Sequence, residues 1–222
     1  MNNQLFDAVR NNNLLNVQQL VLNGANINCR KYLGETILHL ANSIDIVQYL
    51  VLNGMDVNLH DDMDYTPLHK VKTLEIAQFL VANGADVNCR NNNGSIPLHC
   101  ANTLEIAQLL VLNGADVNCR NNNGSTPLHW AKSVEIAQLL VLNGADVNCC
   151  NRAGESPLHT NYHNLKYAKI LLENGADMHI KNNEGLSAYD YVCQSRNKKL
   201  IELYEYYNTI SNGLDIKEPC VE

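Results

Sequence analysis

Residues 120–149 read RNNNGSTPLHWAKSVEIAQLLVLNGADVNC, and residues 90–119 carry the same string at 25 of 30 positions. The five differences are Ile96 against Thr126, Cys100 against Trp130, Asn102 against Lys132, Thr103 against Ser133 and Leu104 against Val134. Looking outward, TILH (36–39), TPLH (66–69), IPLH (96–99), TPLH (126–129) and SPLH (156–159) begin 30 residues apart. NGANIN (23–28), NGMDVN (53–58), NGADVN (83–88, 113–118 and 143–148) and NGADMH (174–179) run in step with them. A fixed period of this size marks a tandem array, whose units bury their apolar faces only against neighbouring units.

Each unit reads as two helices and a turn-rich loop. Thr126 caps a helix that opens with Pro127, where the missing N–H costs nothing, and that helix is predicted to run to Lys132. Ser133 caps the second helix, as do Ser43, Thr73 and Thr103 in other units, and Glu135 complements the dipole of its first turn. Ile136, Leu139 and Leu140 form the apolar stripe, closed by Asn143, and Gly144 supplies a left-handed helix end. Residues 1–29 read as an N-terminal capping repeat, with Leu5, Phe6, Ala8 and Val9 on one helix and Leu14 to Leu22 on the next. Residues 30–180 hold five internal repeats. Residues 181–210 form a C-terminal cap in which LSAYD (186–190) replaces TPLH, and 211–222 form a tail. The predicted class is all-α, a solenoid of about seven helix-turn-helix units joined by β-hairpin-like loops.

TPLHWA, the EIAQLLVLNGADVN run and the NNNG turn together resemble the ankyrin repeat across nearly all of residues 1–210. Ankyrin units usually run about 33 residues, whereas the internal ones here have 30. The difference falls between TPLHxA and the EIAQ helix, which predicts either a tight inter-helix joint or a shortened first helix. The resemblance implies a structural role for His39, His69, His99, His129 and His159, bridging a hydroxyl and the backbone. It also places Asn28, Asn58, Asn88, Asn118 and Asn148 where ankyrin-type proteins meet asparaginyl hydroxylases.

The chain carries 16 Lys+Arg against 23 Asp+Glu, a formal −7. That balance argues against a general nucleic-acid or anionic-membrane binder, and no apolar run reaches the roughly 18–20 residues of a membrane span. The N-terminus has no apolar core or basic cluster, so no signal peptide is expected and the cytosol, of its own cell or a host's, is the default. Metal sharing between repeat histidines is unexpected, since packed helices lie about 8–10 Å apart while Zn–N bonds are about 2.0–2.1 Å. Cys29, Cys89, Cys119 and Cys149 share one repeat position and read as small buried framework residues. Cys193 and Cys220 stand outside the pattern. No catalytic residues, metal site or cofactor are expected.

Recognition remains. The fixed framework varies at its loop tips and first helices, which makes those positions the candidate partner-binding surface: Arg30, Tyr32, Arg90, Asn92, Asn93, Arg120, Asn122 and Asn123 at tips, and Lys70, Trp130 and Lys132 on first helices. Arg30, Arg90 and Arg120 share one position and suggest a basic ridge for an acidic partner segment, with individually weak, solvated arginines as the alternative. The only Trp, Trp130, stands where the family usually has Leu, so partial burial between units competes with a role as interface anchor. Tyr189, Tyr191, Tyr204, Tyr206 and Tyr207 either seal the end of the array or form an aromatic patch. The expected function is a monomeric, non-enzymatic module that binds a protein. A structural spacer, a self-association module and an effector of an intracellular microbe or virus are the alternatives.

Overall fold

A computed structural model describes residues 1–211. Apart from Ser211, the tail, and with it Cys220, lies outside the described residues. The chain divides into two compact units, Met1–Asp116 and Val117–Glu222. In the first, Asn2–Arg10 pairs with Leu14–Leu22, Ile37–Leu40 with Ile44–Leu52, Pro67–Lys70 with Leu74–Ala82, and Pro97–Cys100 with Leu104–Leu112. In the second, the 3-10 turn Pro127–Trp130 precedes Val134–Leu142, Pro157–Thr160 precedes Leu165–Glu173, and Ala188–Ser195 precedes Lys198–Ser211.

In the internal repeats the first helices are single turns of four residues. The segment expected over Pro127–Lys132 stops at Trp130, because Ala131 leaves the helical region at φ −56°, ψ 120°. With the inter-helix joint shortened, the chain must already be extended when it reaches Ser133, whose hydroxyl accepts from the Ile136 amide at 3.3 Å. Thr73 and Thr103 cap in the same way, at 3.4 and 3.3 Å. Ser43 makes no side-chain cap, contrary to its expected role. On the second helix the buried residues are Ile136, Ala137 and Leu140. Leu139 is half-buried, so the inward face is rotated toward Ala137 relative to the predicted stripe.

The hairpin-like loops form without a ladder. No strand forms among the described residues, and the one isolated β-bridge joins Arg30 to Thr36. The loops are fingers, each closed by two backbone bonds, such as Asp61 N–H to Tyr65 O and Asp64 N–H to Asp61 O, both at 3.0 Å, or Asn151 N–H to Glu155 O at 2.9 Å and Gly154 N–H to Asn151 O at 3.0 Å. Their arms are too short for a ladder.

Three sets of polar bonds register successive repeats within each unit. First, the Nδ1 of His39 accepts from the Thr36 amide and hydroxyl at 3.3 and 2.8 Å, while its Nε2–H donates to the Tyr65 carbonyl in the next finger at 2.8 Å. His69 reaches Ser95 O, His129 reaches Glu155 O and His159 reaches Leu186 O in the same way. Because a backbone N–H can only donate and a carbonyl can only accept, these bonds select the neutral ring with its proton on Nε2. Second, the Nδ2 of Asn58 donates to Gly84 O at 2.9 Å while its Oδ1 accepts from the Asp86 amide at 2.9 Å. Asn88, Asn118 and Asn148 do the same one repeat on. Third, finger backbones bond directly, Asp62 N–H to Leu33 O in the first unit and Arg152 N–H to Asn123 O in the second.

Close finger contact explains one class of glycine. A Cβ at Gly154, where φ is +77°, would come within 3.0 Å of Asn182 and Asn183 backbone atoms; at Gly144, with φ +84°, it would meet nothing within 4 Å. Gly144→Ala is therefore expected to cost about 1 kcal/mol for its left-handed backbone alone, and Gly154→Ala about 2–3 kcal/mol through added overlap. Urea unfolding of both variants checks that order.

Burial pushes the pKa of His39, His69 and His129 below the ordinary histidine range, outweighing the bonds to Tyr65, Ser95 and Glu155 carbonyls. The unfolded chain then takes up protons at a higher pH than the folded one. The stability held by the neutral rings is complete above about pH 6.5 and falls as the pH drops below that value. The urea midpoint should be flat above about pH 7 and decline toward about pH 5, with a smaller decline in His129→Gln. An equal decline in that variant would contradict the assignment.

Candidate functional site

The residue at the base of each finger shapes the surface above it. Asp61 Oδ1 accepts from the Met63 and Tyr65 amides at 2.9 and 3.0 Å, and Asn91, Asn121, Asn151 and Asn182 make the equivalent pair of bonds. The second side-chain atom is left for other partners. Asp61 Oδ2 takes Lys70 Nζ at 2.7 Å, Asn151 Nδ2 donates to Glu155 at 3.1 Å, and Asn182 Nδ2 donates to the Tyr191 hydroxyl at 2.9 Å. Asn91 Nδ2 is buried without a partner.

The tip arginines are exposed but engaged. Arg30 donates to Gly34 O at 3.0 Å and to His60 O in the following finger at 2.6 Å. Arg120 bonds Cys150 O and contacts Cys149 Sγ. At Arg30 and Arg120 the guanidinium ties one finger to the next; Arg90 is exposed and also has an interaction of its own. Tyr32 is 82% exposed. Asn92, Asn93, Asn122 and Asn123 lie exposed at tips, Asn92 Nδ2 donating to Asp62 O at 3.1 Å.

Lys70 is half-buried rather than free. Its ammonium binds Asp61 at 2.7 Å and Glu35 at 2.8 Å and lies 5.5 Å from the Tyr65 ring centroid. Burial opposes charge on both Asp61 and Lys70. Their mutual bond, with the Glu35 contact on one side and the Met63 and Tyr65 amides on the other, outweighs it, holding Asp61 below and Lys70 above the ordinary range.

In Val117–Glu222 the same first-helix position is Trp130, 49% exposed. It lines a pocket of about 510 Å³ with His129, Lys132, Glu155, Thr160 and Asn161 among the other walls. A second pocket of about 300 Å³, against Asn123, Asn151 and Arg152, also includes the indole. Trp130 is thus partly buried and also lines an open groove. Tyr204 is fully buried and stacks with Tyr189 at 6.4 Å, which seals the last helices; Tyr206 and Tyr207 are half-exposed.

The thiols depart from expectation at two positions. Cys29 and Cys119 are buried, whereas Cys89 and Cys149 are only half-buried, and Cys193 is exposed. His60, which stands at the tip-arginine position, faces Cys89 Sγ with its Nε2 at 3.7 Å, its Nδ1 lying 3.3 Å from Asp64 O. Burial, reinforced by Asp86 and Asp64, pushes the Cys89 thiol up, away from a reactive thiolate. Only the comparison of positions 60 and 89 across the repeat boundary could have foretold this contact. Among the described residues no cluster of three or more His, Cys, Asp or Glu is arranged to hold a metal ion, and no helix is long and apolar enough to cross a membrane.

Paired short helices, bridging histidines and fingers registered by asparagines define a repeat protein of the ankyrin type. A family model described as ankyrin repeats matches in three copies, over residues 5–88, 70–149 and 131–212, and the chain belongs to that family. No curated protein matches the chain. Ankyrin repeats are generally protein–protein interaction modules and typically non-enzymatic.

The Lys70 cluster makes a separable prediction. Lys70→Met leaves Asp61, whose side chain is 3% exposed, without its cation, and should cost about 2–3 kcal/mol. Adding Asp61→Asn, the residue other fingers carry, should recover most of that loss in a double-mutant cycle read by urea unfolding.

Proposed function

We propose that this chain is a non-enzymatic binding module that grips a protein partner through its fingertips and first helices, with the contact centred on Trp130. The observation that carries this reading is the half-exposed indole in a groove bounded by a first helix and the following finger. Large aromatic side chains at the edge of a pocket bury much area at low entropic cost and dominate interface energetics. Asn123 and Lys132 extend that surface within Val117–Glu222, and Tyr32 and Asn93 stand exposed at fingertips of Met1–Asp116. Arg30, Arg120 and Lys70 act chiefly by holding the fingers in place. Commitment of two tip arginines to backbone carbonyls, on a chain of net −7, favours a protein over a phosphate backbone.

The test is crosslinking and affinity capture from native cytosol with wild type, Trp130→Ala/Lys132→Glu, and Leu142→Ser, the last altering an exposed leucine on a second helix. The groove variant should bind the captured partner about tenfold or more weakly, while the Leu142 variant retains it. Equal capture by all three would refute the surface.

A further inference from the structure

We infer that the Trp130 groove receives an arginine side chain of the partner, its guanidinium lying on the indole face and paired with the Glu155 carboxylate. This rests on the protein-binding reading above. Glu155 is half-buried and lines the same 510 Å³ pocket as Trp130. Its Oε2 accepts from Asn151 Nδ2 at 3.1 Å, which orients the carboxylate. It forms no ion pair among the described residues. A half-buried carboxylate without a cation, lining the same pocket as a half-exposed indole, is a complementary surface for a positive charge.

The first unit contains the filled counterpart. Glu35 occupies the repeat position of Glu155, and its carboxylate is bound by Lys70 at 2.8 Å, with that ammonium also beside the Tyr65 ring. The residue that would play the part of Lys70 toward Glu155 lies 35 positions on, plus the one extra residue of repeat 150–180. That residue is Tyr191, and its hydroxyl is taken by Asn182. Where one carboxylate is satisfied from within the chain, the other is left for a cation from outside.

A guanidinium suits this site better than an ammonium. It is planar, stacks on an indole, and offers a fork of donors to a carboxylate. Lys132 shares the pocket wall and forms no ion pair with Glu155. In this arrangement its ammonium bonds carbonyls of the incoming segment.

Trp130 is the only tryptophan in the chain, so its fluorescence reports on the site directly. The probe is an acetylated, amidated tetrapeptide containing one arginine, titrated into the full chain beside the same peptide with citrulline, the neutral isostere. Arginine should give a saturable change in emission, citrulline none up to the highest concentration. Glu155→Gln should weaken the arginine response about tenfold while leaving the urea midpoint near wild type. Tyr191→Lys, which places a cation where Lys70 stands in the first unit, should suppress the response by filling the site from within. Equal responses to arginine and citrulline, or an unchanged affinity in Glu155→Gln, would overturn the inference. If either occurs while partner capture still depends on Trp130, the arginine assignment fails and the binding reading stands; loss of that dependence as well removes both.

Discussion

A neutral imidazole with both nitrogens occupied is the interaction on which the rest of this architecture depends. Nδ1 closes the start of a one-turn helix that is too short to be stable alone, and Nε2–H holds a carbonyl of the next finger. Only one of the two neutral tautomers can do both, and only a buried ring can do so without competition from water. The bond therefore acts twice, once on local helix geometry and once on the spacing of successive repeats. Asparagine plays the parallel part on the other side of the loop, its carboxamide donating and accepting at once, as at Asn58 and Asn118. Both residue types offer a donor and an acceptor at fixed separation, which is what joining two backbones requires.

Once the fingers are fixed, the groove beside them is decided by a few side chains on a constant base. From the second finger on, the Asx residue at the foot places one oxygen on two amides, leaving its second side-chain atom for other partners. In Met1–Asp116 the second atom of Asp61 joins a closed cluster, with Lys70 neutralised by Asp61 and Glu35 and lying on Tyr65. In Val117–Glu222 Glu155 holds the repeat position of Glu35, but the residue in the place of Lys70 toward it is Tyr191, whose hydroxyl is taken by Asn182, and Trp130 lines the space from the preceding first helix. The ion cluster is replaced by an open pocket. The same backbone thus yields a self-satisfied surface in one place and an unsatisfied one in another, and the unsatisfied one is where recognition is to be sought.

Charge illustrates how position overrides composition. Arg30 and Arg120 read as part of a basic ridge because they recur at one tip position. Each instead donates to a carbonyl of the following finger, since a long guanidinium at a loop edge reaches unpaired backbone acceptors that no helix or sheet satisfies. The exchange of arginine for histidine at position 60 then places an imidazole, not a guanidinium, beside the Cys89 thiol.

The sequence by itself determined the repeat, its period, most of the residues that cap the second helices and the bridging role of the histidines. These are local or periodic properties, encoded by cap residues, prolines, glycines and spacing within one unit. The tertiary structure alone decided that the first helices of the internal repeats stop after one turn instead of running on to positions such as Lys132, that the hairpin-like loops form no ladder, and that Ala137 is buried in preference to Leu139. It also decided which candidate side chains are spent internally and which line a groove. Arg30, Lys70 and Trp130 look alike in a string of variable positions, and what separates them is a partner 30 or 35 residues away, whose distance is set only when one repeat is packed against the next.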